Sequence, residues 1–199
     1  MTKPVISQGF SDDQRDTAAA LYWQAFGTKL GRVMGPDDKG RRFFAATLNP
    51  EFALCAVNSD GRLIGLAGFK TTDGSLTGAA LRDLARVYGW FGALWRGLFL
   101  SMLERDLAPD VLLMDGICVT PKARGTGLGT ALLNAIKHEA TRQGKTSVRL
   151  DVIDNNPRAR ALYERQGFTA CGQTHLGPLR HIFGFRRATE MRHVIPQQP

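Results

Sequence analysis

Three glycines set among basic residues form the stretch of this sequence best suited to chemistry. Gly125, Gly127 and Gly129 follow Lys122 and Arg124, and a run with helical apolar periodicity comes next. Glycine has no Cβ, so the backbone can adopt positive φ and come close to a ligand. The first N–H groups of a helix have no internal partner and carry the positive end of its dipole. The stretch therefore predicts main-chain binding of an anion, most suitably a phosphate.

The spacing of the glycines excludes two well-known phosphate loops. A P-loop needs Lys-Ser or Lys-Thr after its last glycine, and no such pair follows Gly129. A dinucleotide loop needs Gly-x-Gly-x-x-Gly, whereas these glycines occupy alternate positions. The pattern that fits is Arg/Gln-x-x-Gly-x-Gly/Ala, beginning at Arg124.

A second motif follows the predicted helix. Residues 146–152 alternate and are rich in β-branched types, which predicts a strand. Asn156 and Pro157 supply a cap and a first residue for a short helix. From Asn156 to Phe168 the chain reads Asn-x-x-Ala-x-x-Leu-Tyr-x-x-x-Gly-Phe. With both motifs in the expected settings, the sequence resembles the GNAT superfamily of N-acetyltransferases.

The resemblance implies that acetyl-CoA is the cosubstrate and that the glycine loop grips its pyrophosphate. It also implies that the main chain of the central strand pairs with the pantetheine arm and polarises the acetyl carbonyl. The cofactor-binding residues that it implies are Ile117, Cys118, Val119, Arg124, Gly125, Thr126, Gly127, Leu128, Gly129, Thr130, Asn156 and Tyr163. We expect no metal, because none of the four histidines has the spacing of a ligand pair.

The resemblance also implies direct transfer of the acetyl group to an amine, with a tyrosine facing the coenzyme sulfur. Tyr163 matches that tyrosine and is the candidate general acid. The alternative is that Tyr163 covers the core and forms a hydrogen bond at its tip. Asn156 lies two turns earlier on the same helix face, so it either looks toward the coenzyme or only caps the helix.

The sequence offers two candidates for the general base, Asp115 and Glu104. Asp115 precedes Gly116 on the central strand, where burial would raise a carboxyl pKa into a useful range. The alternative is that Asp115 only caps or forms hydrogen bonds at an irregular strand end. Glu104 is a lower-ranked candidate. The Gly-x-Ser-x-Gly elbow of serine hydrolases does not occur.

The length of the chain predicts one domain, residues 1–199, and the resemblance implies an acetyl-CoA-binding core at 111–172. The fold that the resemblance implies is α/β (α+β): a mixed, mostly antiparallel, twisted sheet that is flanked by helices and splayed at the central strand. We predict helices at 11–30, 41–48, 79–107, 128–140 and 158–166, a loop at 31–40, and strands at 52–57, 62–70, 111–119, 146–152, 169–176 and 182–194.

The segment 71–110 is an apolar helical insertion that departs from the family pattern. Arginines and a glutamate interrupt its apolar runs, so it is too polar to span a membrane. One interpretation is that the helix buries its stripe on the domain or on a second subunit, which would make a homodimer. The other is a lid whose aromatic side chains shape the acceptor pocket: Tyr88, Trp90, Phe91 and Trp95. Gly89, Gly92 and Gly97 predict a bend or break.

Charge and cysteine usage bound the partners and the compartment. The net charge of +8 is dispersed and lacks a basic–aromatic stripe, which favours a solubilising surface that attracts an anionic cofactor over a nucleic-acid partner. Three widely spaced cysteines form no disulfide framework, and no apolar leader follows Met1. We therefore expect a cytoplasmic protein with no membrane segment.

Three functions remain open at this stage. The first is acetylation of a primary amine on a small molecule. The second is the same chemistry on a macromolecule, such as a protein N-terminus, a lysine or an aminoacyl-tRNA, for which the basic surface is the clue. The third is a non-catalytic module that binds coenzyme A as a sensor. The complete glycine loop and Tyr163 favour catalysis over sensing.

Overall fold

A computed structural model describes residues 4–101 and 107–196 of the chain, which form helices on both faces of one sheet. The strands in this part of the chain are β1 Val5–Gln8, β2 Ala53–Val57, β3 Leu63–Thr71, β4 Gly74–Ser75, β5 Val111–Val119, β6 Ser147–Ile153, β7 Thr169–His175 and β8 Arg187–Val194. The helices are α1 Arg15–Met34, α2 Asp37–Thr47, α3 Leu81–Ser101, α4 Leu128–Arg142, α5 Pro157–Arg165 and α6 Arg180–Phe183.

The sheet has the order β1-β2-β3-β5-β6-β8-β7, and β4 pairs with β3. Adjacent strands of the sheet run antiparallel, except for β5 and β6, which run parallel. The pairing of these two runs only from Val111–Ser147 to Met114–Leu150. Beyond that point β5 stays with β3 and β6 stays with β8, so a wedge opens between them. The predicted mixed, mostly antiparallel sheet, splayed at its central strand, is confirmed.

Each face of the sheet has its own apolar core. α1, α2, α3 and α6 cover one face, and α4 and α5 cover the other. The predicted stripe of α4 supplies the second core, because Leu128, Leu132, Ile136 and Ala140 are all buried there. The amphipathic pattern therefore fixes which side of the sheet the helix covers and brings its first turn to the end of β5.

Several predicted boundaries are wrong. Residues 31–40 are mostly helical rather than a loop, because the buried Val33 and Met34 extend the apolar face of α1 to Met34. Residues 182–194 are not one strand: Phe183 enters the core from the short helix α6, and the strand begins at Arg187. The edge strand β1 was not predicted, since its exposed four residues carry no periodic pattern.

The insertion bends where its glycines predict. Gly89 has φ 70° and divides α3 into two helical arms. The first arm buries Leu84 and places Tyr88 so that its hydroxyl donates to the Met34 carbonyl at the end of α1. The predicted helix end at 107 falls beyond residues 102–106, which lie outside the described residues. In the part of the chain that is described, no helix is long and apolar enough to cross a membrane.

Candidate active site

The glycine loop joins the end of β5 to the start of α4. Pro121–Ala123 form one turn of three-ten helix, and the Thr126 hydroxyl donates to the Ala123 carbonyl at 2.8 Å. Gly125 and Gly127 then take φ of 79° and 85°, which side chains rarely adopt. Gly127 occupies the cap position of α4. Local hydrogen bonds thus hold the loop in shape with its glycines at the surface.

This loop fits a phosphate group. A Cβ at Gly125 or Gly127 would have no heavy atom within 4 Å, so the space in front of the backbone is open. The Ala131 N–H donates to the Gly127 carbonyl at 3.0 Å, and the N–H groups of Leu128, Gly129 and Thr130 come before it in the helix. The first turn of α4 carries no acidic residue. Two exposed cations flank the loop, Lys122 and Arg124.

The wedge exposes one edge of β5. The Thr120 N–H donates to the Ile64 carbonyl at 2.9 Å. Thr120 and Ile64 lie opposite each other, so they form a hydrogen-bonded pair between the chain after β5 and the chain at β3. Main-chain groups alternate in direction along a strand, so Cys118 also directs its N–H and C=O toward β3. Ile117 and Val119 direct theirs into the wedge. Of the three residues whose main chain was predicted to bind the coenzyme, Ile117 and Val119 direct their polar groups away from β3, and Cys118 directs its own toward β3. Their contact with a coenzyme stays a prediction.

Tyr163 lies on α5 and is 8% exposed. Its ring packs 6.1 Å from the ring of Phe168 and lies within electrostatic reach of Cys118 on β5. Burial, and then the proximity of Cys118, raise the pKa of Tyr163 to about 12. The phenol therefore keeps its proton at neutral pH, as a general acid must. Burial and the contact with Phe168 show that the ring covers the core, as the packing interpretation predicts. The general-acid role stays a prediction.

The helix that carries Tyr163 is capped by Asn156. The Ala159 N–H donates to Asn156 Oδ1 at 3.2 Å, and Pro157 occupies the first helical position. Capping, one of the two predicted roles of Asn156, is thus present. A contact between Asn156 and the coenzyme stays a prediction.

Asp115 lies at an irregularity in the central strand. The β3–β5 register shifts between Gly68 and Phe69, which leaves Asp115 as the extra residue of a β-bulge. A Cβ at the next position, Gly116, would lie 2.2 Å from Phe26 Cζ of α1. Glycine is therefore required there for α1 to approach the bulge, and the approach brings the aromatic face of α1 to Asp115.

Tyr22 is a residue of this region that the sequence did not reveal. Its ring lies 4.5 Å from the ring of Phe26 on the same helix. Burial raises the pKa of Tyr22, the proximity of Asp115 and Cys118 adds to this, and a hydrogen bond with Thr77 opposes it. A helix was predicted at 11–30, but no local pattern could show which strand residue Tyr22 would meet. Tyr22, Asp115, Cys118 and Tyr163 thus form one group beside the wedge.

Burial raises the pKa of the Cys118 thiol to about 12, so it stays protonated and is a poor nucleophile. Glu104 lies outside the described residues. Within residues 4–101 and 107–196, no cluster of three or more His, Cys, Asp or Glu side chains could hold a metal ion.

We expect the folded protein to resist tyrosine ionisation. Burial raises the pKa of all three tyrosines, to about 12 for Tyr88 and Tyr163 and well above its ordinary value for Tyr22. In a spectrophotometric titration, tyrosinate should not appear near pH 10, the value for an exposed tyrosine. The stability from these protonated phenols is fully present below pH 10 and is lost as the pH rises through about 12. Titration in denaturant is the control and should centre near pH 10. A folded chain that ionises there would contradict the burial.

Comparison with known proteins agrees with this geometry. A family model described as the acetyltransferase (GNAT) family matches residues 16–168. A search of curated proteins finds no match. Among solved structures, one titled only as an acetyltransferase is 18% identical, with TM-score 0.62, over 96% of this chain and 100% of that one.

Two further solved structures are similar to this chain to the same degree, and their names give different acceptors. A phosphinothricin acetyltransferase from Sinorhizobium meliloti, in complex with AcCoA, is 14% identical with TM-score 0.60, over 100% of this chain and 94% of that one. The ribosomal-protein-S18-alanine N-acetyltransferase from Escherichia coli is 16% identical with TM-score 0.57, over 98% and 96%. At these identities the likeness is one of fold, and it does not distinguish the acceptors.

Proposed function

We propose that this chain, which belongs to the acetyltransferase (GNAT) family, moves the acetyl group of acetyl-CoA directly onto a primary amine. One observation carries the proposal. The wedge opens along β5, which leads into the glycine loop at the start of α4, and the protonated phenol of Tyr163 lies near Cys118 on the same strand. An elongated ligand with a phosphate at one end and a reacting group at the other suits that arrangement.

The coenzyme would be held mainly by main chain. The loop and the first turn of α4 offer N–H groups to its pyrophosphate, and Arg124 adds charge at the rim. The open edge of β5 at Ile117 and Val119 would pair with the amide groups of its arm. Cys118 would contribute only its side chain, because its main chain faces β3. The full set of coenzyme-binding residues that we propose is Ile117, Cys118, Val119, Arg124, Gly125, Thr126, Gly127, Leu128, Gly129, Thr130, Asn156 and Tyr163.

Two side chains would move protons. Acetyl-CoA supplies an acetyl group already activated as a thioester. Tyr163 is protonated and would give its proton at the sulfur as the C–S bond breaks. Asp115, at the bulge of β5, would take the proton that the amine loses as its nitrogen bonds to the acetyl carbon. No metal takes part in this proposal.

The acceptor that we favour is a small amine. Phe26 packs directly on Gly116, and Tyr22 lies beside it, so aromatic rings wall the side of β5 next to Asp115. Such a wall suits a small or apolar acceptor better than an extended polypeptide or a nucleic acid. The alternatives are a macromolecular amine and a coenzyme A sensor. We also propose a cytoplasmic location, since all three cysteines are unpaired, and a homodimer.

The test is release of the coenzyme A thiol with a panel of small primary amines and short peptides. We expect thiol release matched by acetylated product for at least one small amine. At neutral pH, the substitution Asp115→Asn should lower kcat/KM about 100-fold. The variant should bind acetyl-CoA with the affinity of wild type. Turnover with peptides alone would favour the macromolecular acceptor. Acetyl-CoA binding without turnover of any amine would contradict catalysis and favour the sensor.

A further inference from the structure

The second arm of α3, residues 90–101, turns its apolar side to the surface. Phe91 is 93% exposed, Trp90 70%, Leu94 66%, Leu98 65% and Trp95 39%. Phe91, Leu94 or Trp95, and Leu98 recur at helical spacing, so they form one continuous stripe. A surface helix normally turns such a stripe to the core and its charges to water.

The inward side of the same arm packs on its own domain, and its Phe99 and Leu100 are partly buried against the core. Arg96 is the only charged residue of the arm, and its guanidinium lies 4.0 Å above the ring of Tyr88. Its Nη1 donates to the Gly92 carbonyl at 3.1 Å. Ala93 is fully buried. Burial also lowers the pKa of Arg96. The orientation of the arm is thus fixed by contacts with its own domain, and it leaves the stripe uncovered.

The stripe is as large as the largest apolar patches on monomeric proteins. At these exposures the five side chains present roughly 600 Å² of apolar surface, given about 150–250 Å² for each aromatic. The largest patch on a typical monomer is about 300–600 Å². A stable protein interface buries about 800 Å² on each partner. The stripe with its rim therefore approaches the area that a dimer needs.

We propose that the stripe on the second arm of α3 packs against the same stripe of a second copy of this chain, about a two-fold axis. A helix face with apolar residues at three- and four-residue spacing can interdigitate with its own copy, and a two-fold contact needs only such a self-complementary patch. The stripe carries no charge that the contact would bury. This interface goes beyond the proposed chemistry and does not depend on it.

A lipid surface is the competing occupant, and the charges disfavour it. Helices that lie on anionic membranes carry cations beside their apolar face. In the described part of α3, the Arg96 guanidinium lies over the rings of Tyr88 and Trp95, Arg86 pairs with Asp83 at 3.2 Å, and Arg82 lies on the first arm, before the bend. Within these residues the exposed face of the second arm therefore has no free cation of its own to hold a bilayer.

The proposed contact would also support the acceptor side of the site. Tyr88 packs 6.3 Å from the ring of Phe43 on α2 and donates to the end of α1. Those two helices carry Tyr22 and Phe44, whose rings lie 4.7 Å apart. Holding α3 would thus hold the aromatic wall beside Asp115.

The test is the mass of the full-length chain in solution, by sedimentation over a range of concentrations. Wild type should have twice the 21.8 kDa of one chain. The double variant Phe91→Glu, Leu98→Glu should dissociate at least about 100-fold more readily, because each contact would bury charge. The matched control is Val5→Glu, Val194→Glu, which adds the same charge at valines 69% and 70% exposed elsewhere, and it should stay dimeric.

Acetyl-CoA binding and circular dichroism report whether each variant is folded, and Leu94→Lys is a second, single substitution in the stripe. A wild-type chain that stays at 21.8 kDa at every concentration would overturn the proposal. So would a dimer that survives both stripe variants, since another surface would then hold it. Binding of a monomeric chain to vesicles of phosphatidylglycerol and phosphatidylcholine, lost in the Phe91→Glu, Leu98→Glu variant, would assign the stripe to a membrane instead.

Discussion

Replacing Tyr163 by phenylalanine should lower kcat about 100-fold and leave the KM for acetyl-CoA nearly unchanged. Phenylalanine keeps the ring that packs against Phe168, so the fold and the coenzyme site persist. The hydroxyl, held protonated by burial, is the only group removed. Steady-state kinetics with an accepted amine measure both constants.

The matched control is Tyr88→Phe. Burial raises the pKa of Tyr88 to about 12 as well, but its hydroxyl donates to the Met34 carbonyl at the end of α1 rather than facing β5. We expect kcat of this variant to stay close to that of wild type. Equal kcat values for the Tyr163 variant and wild type would remove the general-acid role and leave packing as its function.

Replacing Gly127 by glutamate should weaken acetyl-CoA binding at least about 100-fold, which corresponds to roughly 2.8 kcal/mol. Gly127 has φ 85°, and the space where its side chain would project is open. The carboxylate would therefore enter the space proposed for the pyrophosphate and place a negative charge at the helix N-terminus intended for the ligand. Calorimetric titration of the folded variant measures the loss.

Gly144→Glu separates this effect from backbone strain. Gly144 follows the other end of α4, has φ +65°, and also has open space at its Cβ. α4 has 15 residues, so about 22 Å of helix separates the two glycines. Both substitutions cost about 1 kcal/mol of stability for the left-handed conformation. Only Gly127→Glu should affect binding. Equal affinities in the two variants would contradict the placement of the pyrophosphate.

Local features of the site were predictable from the sequence. The loop needs glycine where φ is positive, and Gly125 and Gly127 occupy those positions. The two residues are close together in the sequence. The cap of α5 likewise joins Asn156 to a residue three positions away. The period of α4 also fixed its buried face. In each case the interacting groups lie within one or two turns of each other, so spacing alone carries the information.

Contacts between distant segments were not predictable in this way. Tyr22 meets Asp115 only because α1 crosses the bulge of β5 at Gly116. The sequence left open whether the stripe of α3 packs on its own domain or faces outward, since a helical period shows that a stripe exists but not which way it faces. In the structure the stacking of Arg96 on Tyr88 lies on the inward side, a contact that no propensity scale describes. Such choices depend on the packing of the whole domain.

A calorimetric titration of acetyl-CoA into the wild-type chain tests directly whether the glycine loop belongs to an acetyl-CoA site. We predict saturable binding of one acetyl-CoA per chain, with a rise in the unfolding temperature when the ligand is in excess. No heat of binding together with no thermal shift would contradict it. The glycine loop between β5 and α4 would then be only a structural turn.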